Sequence, residues 1–342
     1  MTRTESTAGR TLAVFRWDLD KTYLRTEFES LRDLIRVPFQ SAADKIDVPG
    51  VVELIRALKQ CAEAEHREVR TYFLSASPPQ IARAIREKFQ LDGIEIDGII
   101  FKNQLQILMR GRFRSLREQT GFKLTELLRG RVDMPPHSVE YLFGDDWETD
   151  PIIYSIYADV LAGRLDSDGL SRILETIPVD REWRQQIDML VPQLSHADAV
   201  RRIFINLERR TPPGFFHAFG PRVVPTFNYF QTAACLFEEG VIDVDAVERV
   251  GRALVSRESY SREMLENSLG DVCRRGHLGT RARDALSEEL RRRNLFARRK
   301  LRLRQRLRDW WVRRRRRSVP DAKPRGEPLD YAAIVSGWRP ER

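Results

Sequence analysis

Cysteine is scarce in this 342-residue chain. Its three thiols, Cys61, Cys235 and Cys273, lie far apart and form no CxxC pair. Such spacing indicates neither a zinc site nor a disulfide framework, so buried or idle thiols are expected. Histidine is nearly as rare. His66, His137, His196, His217 and His277 form no HxxxH or His–Asp pattern, so surface or structural roles are expected. No GxxxxGK[ST] loop is present, and nucleotide binding of that type is unsupported. No apolar run approaches the roughly 18 residues that span a bilayer. The polar stretch Met1 to Arg10 lacks the apolar centre of a signal peptide. A cytoplasmic location is the default expectation. No internal repeat is evident.

What is present divides into a body and a tail. The length suits two domains of ordinary size, and 42% apolar residues suffice for real cores. The net charge of +9 is uneven. Between Arg281 and Ser318 there are 17 basic and 4 acidic residues, a local net of +13, so the remainder sums to −4. The asymmetry points to an anionic partner for the tail.

Strands and helices alternate over the first half. Residues 11–17, Val69–Leu74, Asp97–Phe101 and Val139–Phe143 have the apolar runs of buried strands. Between and after them, 26–36, 49–63, Pro79–Phe89, a stretch beginning at Lys123, and Pro151–Leu161 have helical spacing. This order predicts an α/β fold with a doubly wound parallel sheet, over 11–165. Residues 166–295 are expected to form a mainly helical accessory domain, 166–210 included. The proline-rich stretch Thr211–Thr226 suits an ordered loop or boundary. A basic amphipathic helix is expected over 296–318, and a weakly ordered terminus over 319–342.

The most informative segment is Phe15-Arg16-Trp17-Asp18-Leu19-Asp20-Lys21-Thr22. Two carboxylates and a hydroxyl follow an apolar run at i, i+2 and i+4. In open α/β sheets ligands bind at the carboxyl ends of the strands. Two carboxylates there can hold Mg2+ and divide nucleophile and acid roles. Two more predicted strands end in polar groups, Ser75 and Gly144-Asp145-Asp146. Carboxylates gathered so closely repel one another without a cation, which argues independently for a metal.

Taken in order, four segments resemble the haloacid dehalogenase superfamily of phosphotransferases. They are Asp18, Asp20 and Thr22 as DxDxT; Tyr72-Phe73-Leu74-Ser75 as the apolar strand ending in a hydroxyl; Lys123 as the lysine at a helix start; and Gly144, Asp145 and Asp150 as GDxxxxD. The resemblance implies that Asp18 attacks phosphorus to give an aspartyl-phosphate. Asp20 would protonate the leaving oxygen and then deprotonate water. Lys123 and Ser75 would stabilise the phosphoryl group. Mg2+ would sit on the side chains of Asp18 and Asp145 and the backbone carbonyl of Asp20, with Asp150 completing the shell. Four alternatives stay open. Lys102 competes with Lys123, Asp146 with Asp145, and Ser77 with Ser75, while Thr22 can serve the backbone of its own turn.

Within the superfamily, residues 15–158 look like the phosphatidate phosphatase catalytic-domain family of the actin-patch-protein type. Phe73-Leu74-Ser75-Ala76-Ser77-Pro78 and Gly144-Asp145-Asp146-Trp147-Glu148-Thr149-Asp150-Pro151-Ile152-Ile153-Tyr154 carry this likeness. Ala76 stands where the family has Asn, and no clear apolar strand follows the Pro151 helix. The implied activity is hydrolysis of a phosphomonoester, with a phosphatidate-like lipid as the implied substrate. Alternatives are another phosphoester, such as a nucleic-acid end, nucleotide or small metabolite, or a binding or regulatory protein acting through the helical region and tail. Neither insertion flanking Ser75 is large enough for a full cap domain, which suits bulky substrates. The second insertion carries Arg110, Arg112, Arg114 and Arg117. On a helix, Phe296, Leu303, Leu307, Trp310 and Trp311 share one stripe among arginines. That pattern suits peripheral contact of 296–317 with anionic lipid, with nucleic acid or packing on the body as alternatives.

Overall fold

A computed structural model of the chain describes residues 12–24, 47–75, 81–102, 116–177, 179–257, 260–297 and 328–338. The expected helix 26–36, Ser77, the arginines of the second insertion and the tail stripe from Leu303 to Trp311 lie outside the described residues or their described side chains.

Six strands form one parallel sheet. They are β1 (Ala13–Asp18), β2 (Val69–Ser75), β3 (Gly98–Phe101), β4 (Val139–Asp145), β5 (Val200–Asn206) and β6 (Val223–Thr226). Their order is β3-β2-β1-β4-β5-β6. The chain builds outward from β1 through β2 and β3, then returns to place β4 on the other side of β1. The strand order therefore reverses between β1 and β4, where a doubly wound sheet opens its crevice. Asp18 and Asp145 end those two strands.

The alternation of side chains along β1 sorts the two faces. Phe15 and Trp17 enter one core, with Phe73, Phe143 and Phe204 from the neighbouring strands. Trp17 stacks on Phe143 with ring centroids 3.7 Å apart and planes 4° apart. Phe73 and Phe204 continue the row at 6.3 and 5.3 Å. Covering this face are α1 (Val51–Ala64), α2 (Ala82–Leu91), α7 (Tyr229–Glu238), α8 (Val244–Arg257), α9 (Arg262–Arg274) and α10 (Thr280–Arg292). The second core holds Leu74, Leu142, Ile203 and Ile205. It is covered by α3 (Leu116–Val132), α4 (Asp150–Leu161), α5 (Ser167–Thr176), α6 (Arg181–Leu190) and α11 (Tyr331–Gly337).

Several expectations need correction. The region after 165 is mainly helical as expected, but 166–210 is not helical to its end: β5 lies within it, and β5 and β6 extend the sheet. The helices of 166–295 share their cores with β1 to β4, so among the described residues no separate core lies beyond that boundary. The apolar strand found wanting after the Pro151 helix exists as β5, delayed by α5 and α6. Part of the proline-rich stretch is β6; its Pro225 is admissible because β6 is an edge strand. Phe296 does not belong to a free stripe: it is buried against Phe230 in the first core. The terminus expected to be weakly ordered contains α11, whose Tyr331 and Ile334 are buried and whose Tyr331 hydroxyl donates to Asp159 at 2.8 Å.

Arg16, between the two aromatic residues of β1, faces α3. Its Nε donates to Glu140 at 2.7 Å and its Nη2 to the Gly130 carbonyl at 3.1 Å. Arg131 at 3.2 Å and the Tyr157 hydroxyl at 3.0 Å complete the partners of the fully buried Glu140. A buried charge persists only when so paired. This network pins α3 along β1, two residues below Asp18.

Candidate active site

Asp18 has the same parity as Arg16, so its carboxylate leaves β1 toward α3. Lys123, in the middle of α3 rather than at its start, meets it there. The Lys123 ammonium lies 2.8 Å from Asp18 Oδ1, 2.5 Å from Asp150 Oδ1 and 2.8 Å from Glu148 Oε2. Lys123 and Asp150 are fully buried and Asp18 nearly so.

Asp145 ends β4 and organises the loop to α4. Its Oδ1 accepts from the backbone of Trp147 at 2.6 Å and of Glu148 at 3.1 Å. Those two bonds curl the loop so that Glu148 turns toward Lys123. Asp150, the first residue of α4, accepts at Oδ2 from the Asp145 amide at 3.4 Å. Pro151 follows in the first helical turn, where a missing N–H costs nothing. Asp146 serves differently: its carboxylate accepts from the backbone of Arg209 and Thr211 at 2.8 and 3.0 Å, tying down the loop after β5.

Beyond β1 the chain turns tightly through Leu19–Leu24, with Lys21 at φ 59°. Asp20 is buried on this turn and accepts from the Ser75 hydroxyl at 3.3 Å. The Thr22 hydroxyl does not serve the turn: it is buried with no hydrogen-bond partner among the described residues. The Thr22 carbonyl instead accepts from the Tyr229 hydroxyl at 2.5 Å. Lys21 and Arg209 lie over the Trp147 ring, at 3.0 and 4.8 Å from its centroid. Lys102 is buried at the end of β3; the ammonium set against Asp18 is that of Lys123.

Of the residues expected in a site, the structure gathers Asp18, Lys123 and Asp150 directly, joins Asp145 through the Asp150 carboxylate, and joins Asp20 to Ser75. Sequence reasoning missed Glu148. The carboxylates of Asp18, Glu148 and Asp150 lie within 4.8 Å of one another, a triad able to hold a metal. The only sequence signal was that Asp145, Asp146, Glu148 and Asp150 crowd one short loop.

Electrostatics mark this cluster as costly. Burial pushes the Asp18 carboxyl well above the usual range; Lys123 opposes the shift, and Asp150, Glu148 and Asp145 add to it. Burial likewise raises Asp145, with Asp150 and Glu148 contributing. Asp150 is raised by burial against the pull of Lys123. Burial opposes the Lys123 charge, but Asp150, Asp18 and Glu148 outweigh it and hold the ammonium well above the ordinary lysine range. One ammonium is thus set against an excess of carboxylates. Asp18 Oδ2 and Asp145 Oδ2 are buried without a hydrogen-bond partner among the described residues. Unpaired buried oxygens of this kind fit a hard divalent cation, which takes oxygen ligands.

Residues 17–166 match the family model for the phosphatidate phosphatase APP1 catalytic domain. The resemblance read from the sequence is borne out over that stretch. A comparison with curated proteins gives no match. The matched segment begins beside Asp18 and ends just beyond α4, so it contains Asp18, Asp20, Ser75, Lys123, Asp145, Glu148 and Asp150. It stops before β5 and β6, which complete the sheet outside it.

Proposed function

We propose that the chain is a Mg2+-dependent phosphatase that hydrolyses a phosphomonoester through an aspartyl-phosphate on Asp18. The observation that carries this is the placement of Asp18: a buried carboxylate at the β1/β4 reversal, 2.8 Å from the Lys123 ammonium and within a carboxylate cluster. Asp18 Oδ attacks phosphorus and the bond from phosphorus to the ester oxygen breaks. Asp20 gives its proton to the departing oxygen, then takes one from the water that releases phosphate. Ser75 orients Asp20 through its hydroxyl. Lys123 offsets negative charge on the transferred group, where catalysis is mainly positioning and electrostatics. Asp18, Asp145 and Asp150 would hold the cation, which would supply Lewis-acid neutralisation of the phosphoryl oxygens.

The family match supports a phosphatidate-like lipid as the substrate; the basic stretch from 297 to 317 is proposed, on its sequence pattern alone, to meet an anionic membrane surface from the cytoplasmic side. Among the described residues no helix is long and apolar enough to cross a membrane.

The test is a phosphatase screen with Mg2+ across an aryl phosphate, phosphatidate in mixed vesicles, nucleotides, 3′- and 5′-phosphorylated oligonucleotides and sugar phosphates. Asp18→Asn is expected to lower turnover by roughly 10³-fold or more. Equal turnover by variant and wild type removes Asp18 as nucleophile. Preference for oligonucleotide ends over phosphatidate transfers the reading to a nucleic-acid phosphatase.

A further inference from the structure

Lys123 is surrounded by carboxylates. An ammonium has three N–H donors, and Asp18, Glu148 and Asp150 all approach it within 2.8 Å. A phosphoryl group poised for attack by Asp18 needs the same cation. One carboxylate must therefore give way, because two anions competing for one buried ammonium repel each other strongly at short range.

The three are not equally held. Asp18 must stay to react. Asp150 begins a buried helix, is wedged against Gly144 and accepts from the Asp145 amide. Glu148 belongs to the loop between β4 and α4, and its side chain keeps 9% exposure against 1% for Asp18 and none for Asp150. Its second oxygen is tethered at the surface, accepting from Gln119 Nε2 at 3.1 Å.

We propose that Glu148 occupies the phosphoryl-oxygen position on Lys123 and is displaced when phosphate binds. The inference rests on the phosphatase reading of the same site. Glu148 is then a positioning residue: it keeps the buried lysine paired between turnovers and sets how strongly phosphate must compete for it.

Isothermal titration of the full chain with inorganic phosphate, in Mg2+, tests this. Glu148→Gln is expected to bind phosphate about tenfold tighter than wild type. Gln119→Ala, which only loosens the tether, is expected to shift affinity the same way by a smaller factor. A purely structural Glu148 would give weaker binding in both variants. If wild type binds phosphate and neither variant binds it tighter, displacement is wrong while the phosphatase reading stands. If wild type and variants all fail to bind phosphate, both readings fall. If Glu148→Gln leaves phosphate affinity unchanged but raises the Mg2+ concentration for half-maximal thermal stabilisation, Glu148 is a metal ligand and the proposal is overturned.

Discussion

Gly144 and Asp150 share one volume. A Cβ built on Gly144 would lie 2.4 Å from Asp150 Oδ2 and 2.6 Å from Asp150 Cβ. The glycine of Gly144-Asp145 is therefore required by close packing, because a methyl group there evicts the first residue of α4. That residue is also the carboxylate nearest Lys123.

Gly144→Ala is expected to cost about 1–3 kcal/mol, the range for overpacking a rigid interior. Because Asp150 must move, phosphatase turnover should fall by more than the stability loss explains. Urea denaturation beside turnover at saturating Mg2+ checks this; full turnover at lowered stability would show that Asp150 has no part in the site.

Metal and fold should be linked. A cation that binds the folded cluster and not the open chain raises the melting temperature by mass action. Mg2+ should stabilise wild type in a concentration-dependent way, and a chelator should reverse it. Asp145→Asn, which neutralises the carboxylate whose Oδ2 has no hydrogen-bond partner among the described residues, should melt at or above the wild-type temperature without metal and gain less from Mg2+. Scanning fluorimetry across Mg2+ concentration reads both; identical gains in the two proteins would remove Asp145 from the metal shell.

Glu140→Gln should be among the most destabilising isosteric changes in the chain. It leaves Arg16 and Arg131 buried around a neutral amide, and breaking a buried pair costs roughly 3–5 kcal/mol. The denaturant midpoint should fall accordingly. A change under about 1 kcal/mol would mean that the arginines find other partners.

His277 gives a pH signature away from the site. Burial, with Arg275, Arg202 and His217 nearby, lowers its pKa from 6.5 to about 4. The unfolded chain then takes up a proton that the folded chain refuses. Its contribution is complete above pH 6.5 and is lost as pH falls from 6.5 toward 4. Screened by partial exposure, the effect is on the order of 2 kcal/mol. As pH falls through this window, wild type should lose stability relative to His277→Gln by about that amount in melting experiments; parallel curves would show that the histidine charges freely in the fold.

Much of this architecture was legible in the sequence because β1 to β4 are short, largely apolar runs, broken only by side chains such as Arg16 and Glu140, that end abruptly in polar groups. β5 was not. Arg201 and Arg202 open it, leaving only Ile203-Phe204-Ile205 as a visible run, and Arg202 is accommodated by Glu239 and the Pro221 carbonyl. β6 was hidden by Pro225, which resembles loop chemistry until its edge position is known. The site divides in the same way. Asp18, Asp20 and Asp145 stand at strand ends that periodicity can locate. Glu148 becomes visible only once α3 is docked and Lys123 is beside it. The tail charge was overread at its start. Arg293 pairs with Asp245, Glu248 and Glu289, and Arg291 with Glu266, so these arginines join helices α8, α9 and α10 and are not part of a free basic surface.

The stacked row of Phe73, Trp17, Phe143 and Phe204 lies one or two residues before the ends of β2, β1, β4 and β5. Four aromatic rings in contact across four strands leave those strands no freedom to slide past one another. Asp18 and Asp145 therefore stand on a single rigid plate, and their spacing is a constant of the fold. Any motion that turnover demands falls to the connections above it, first to the four residues from Asp146 to Thr149. Substrate choice can diverge there without disturbing the distance between Asp18 and Asp145, and amide exchange should find the slowest protons of the protein in the four strands of that plate.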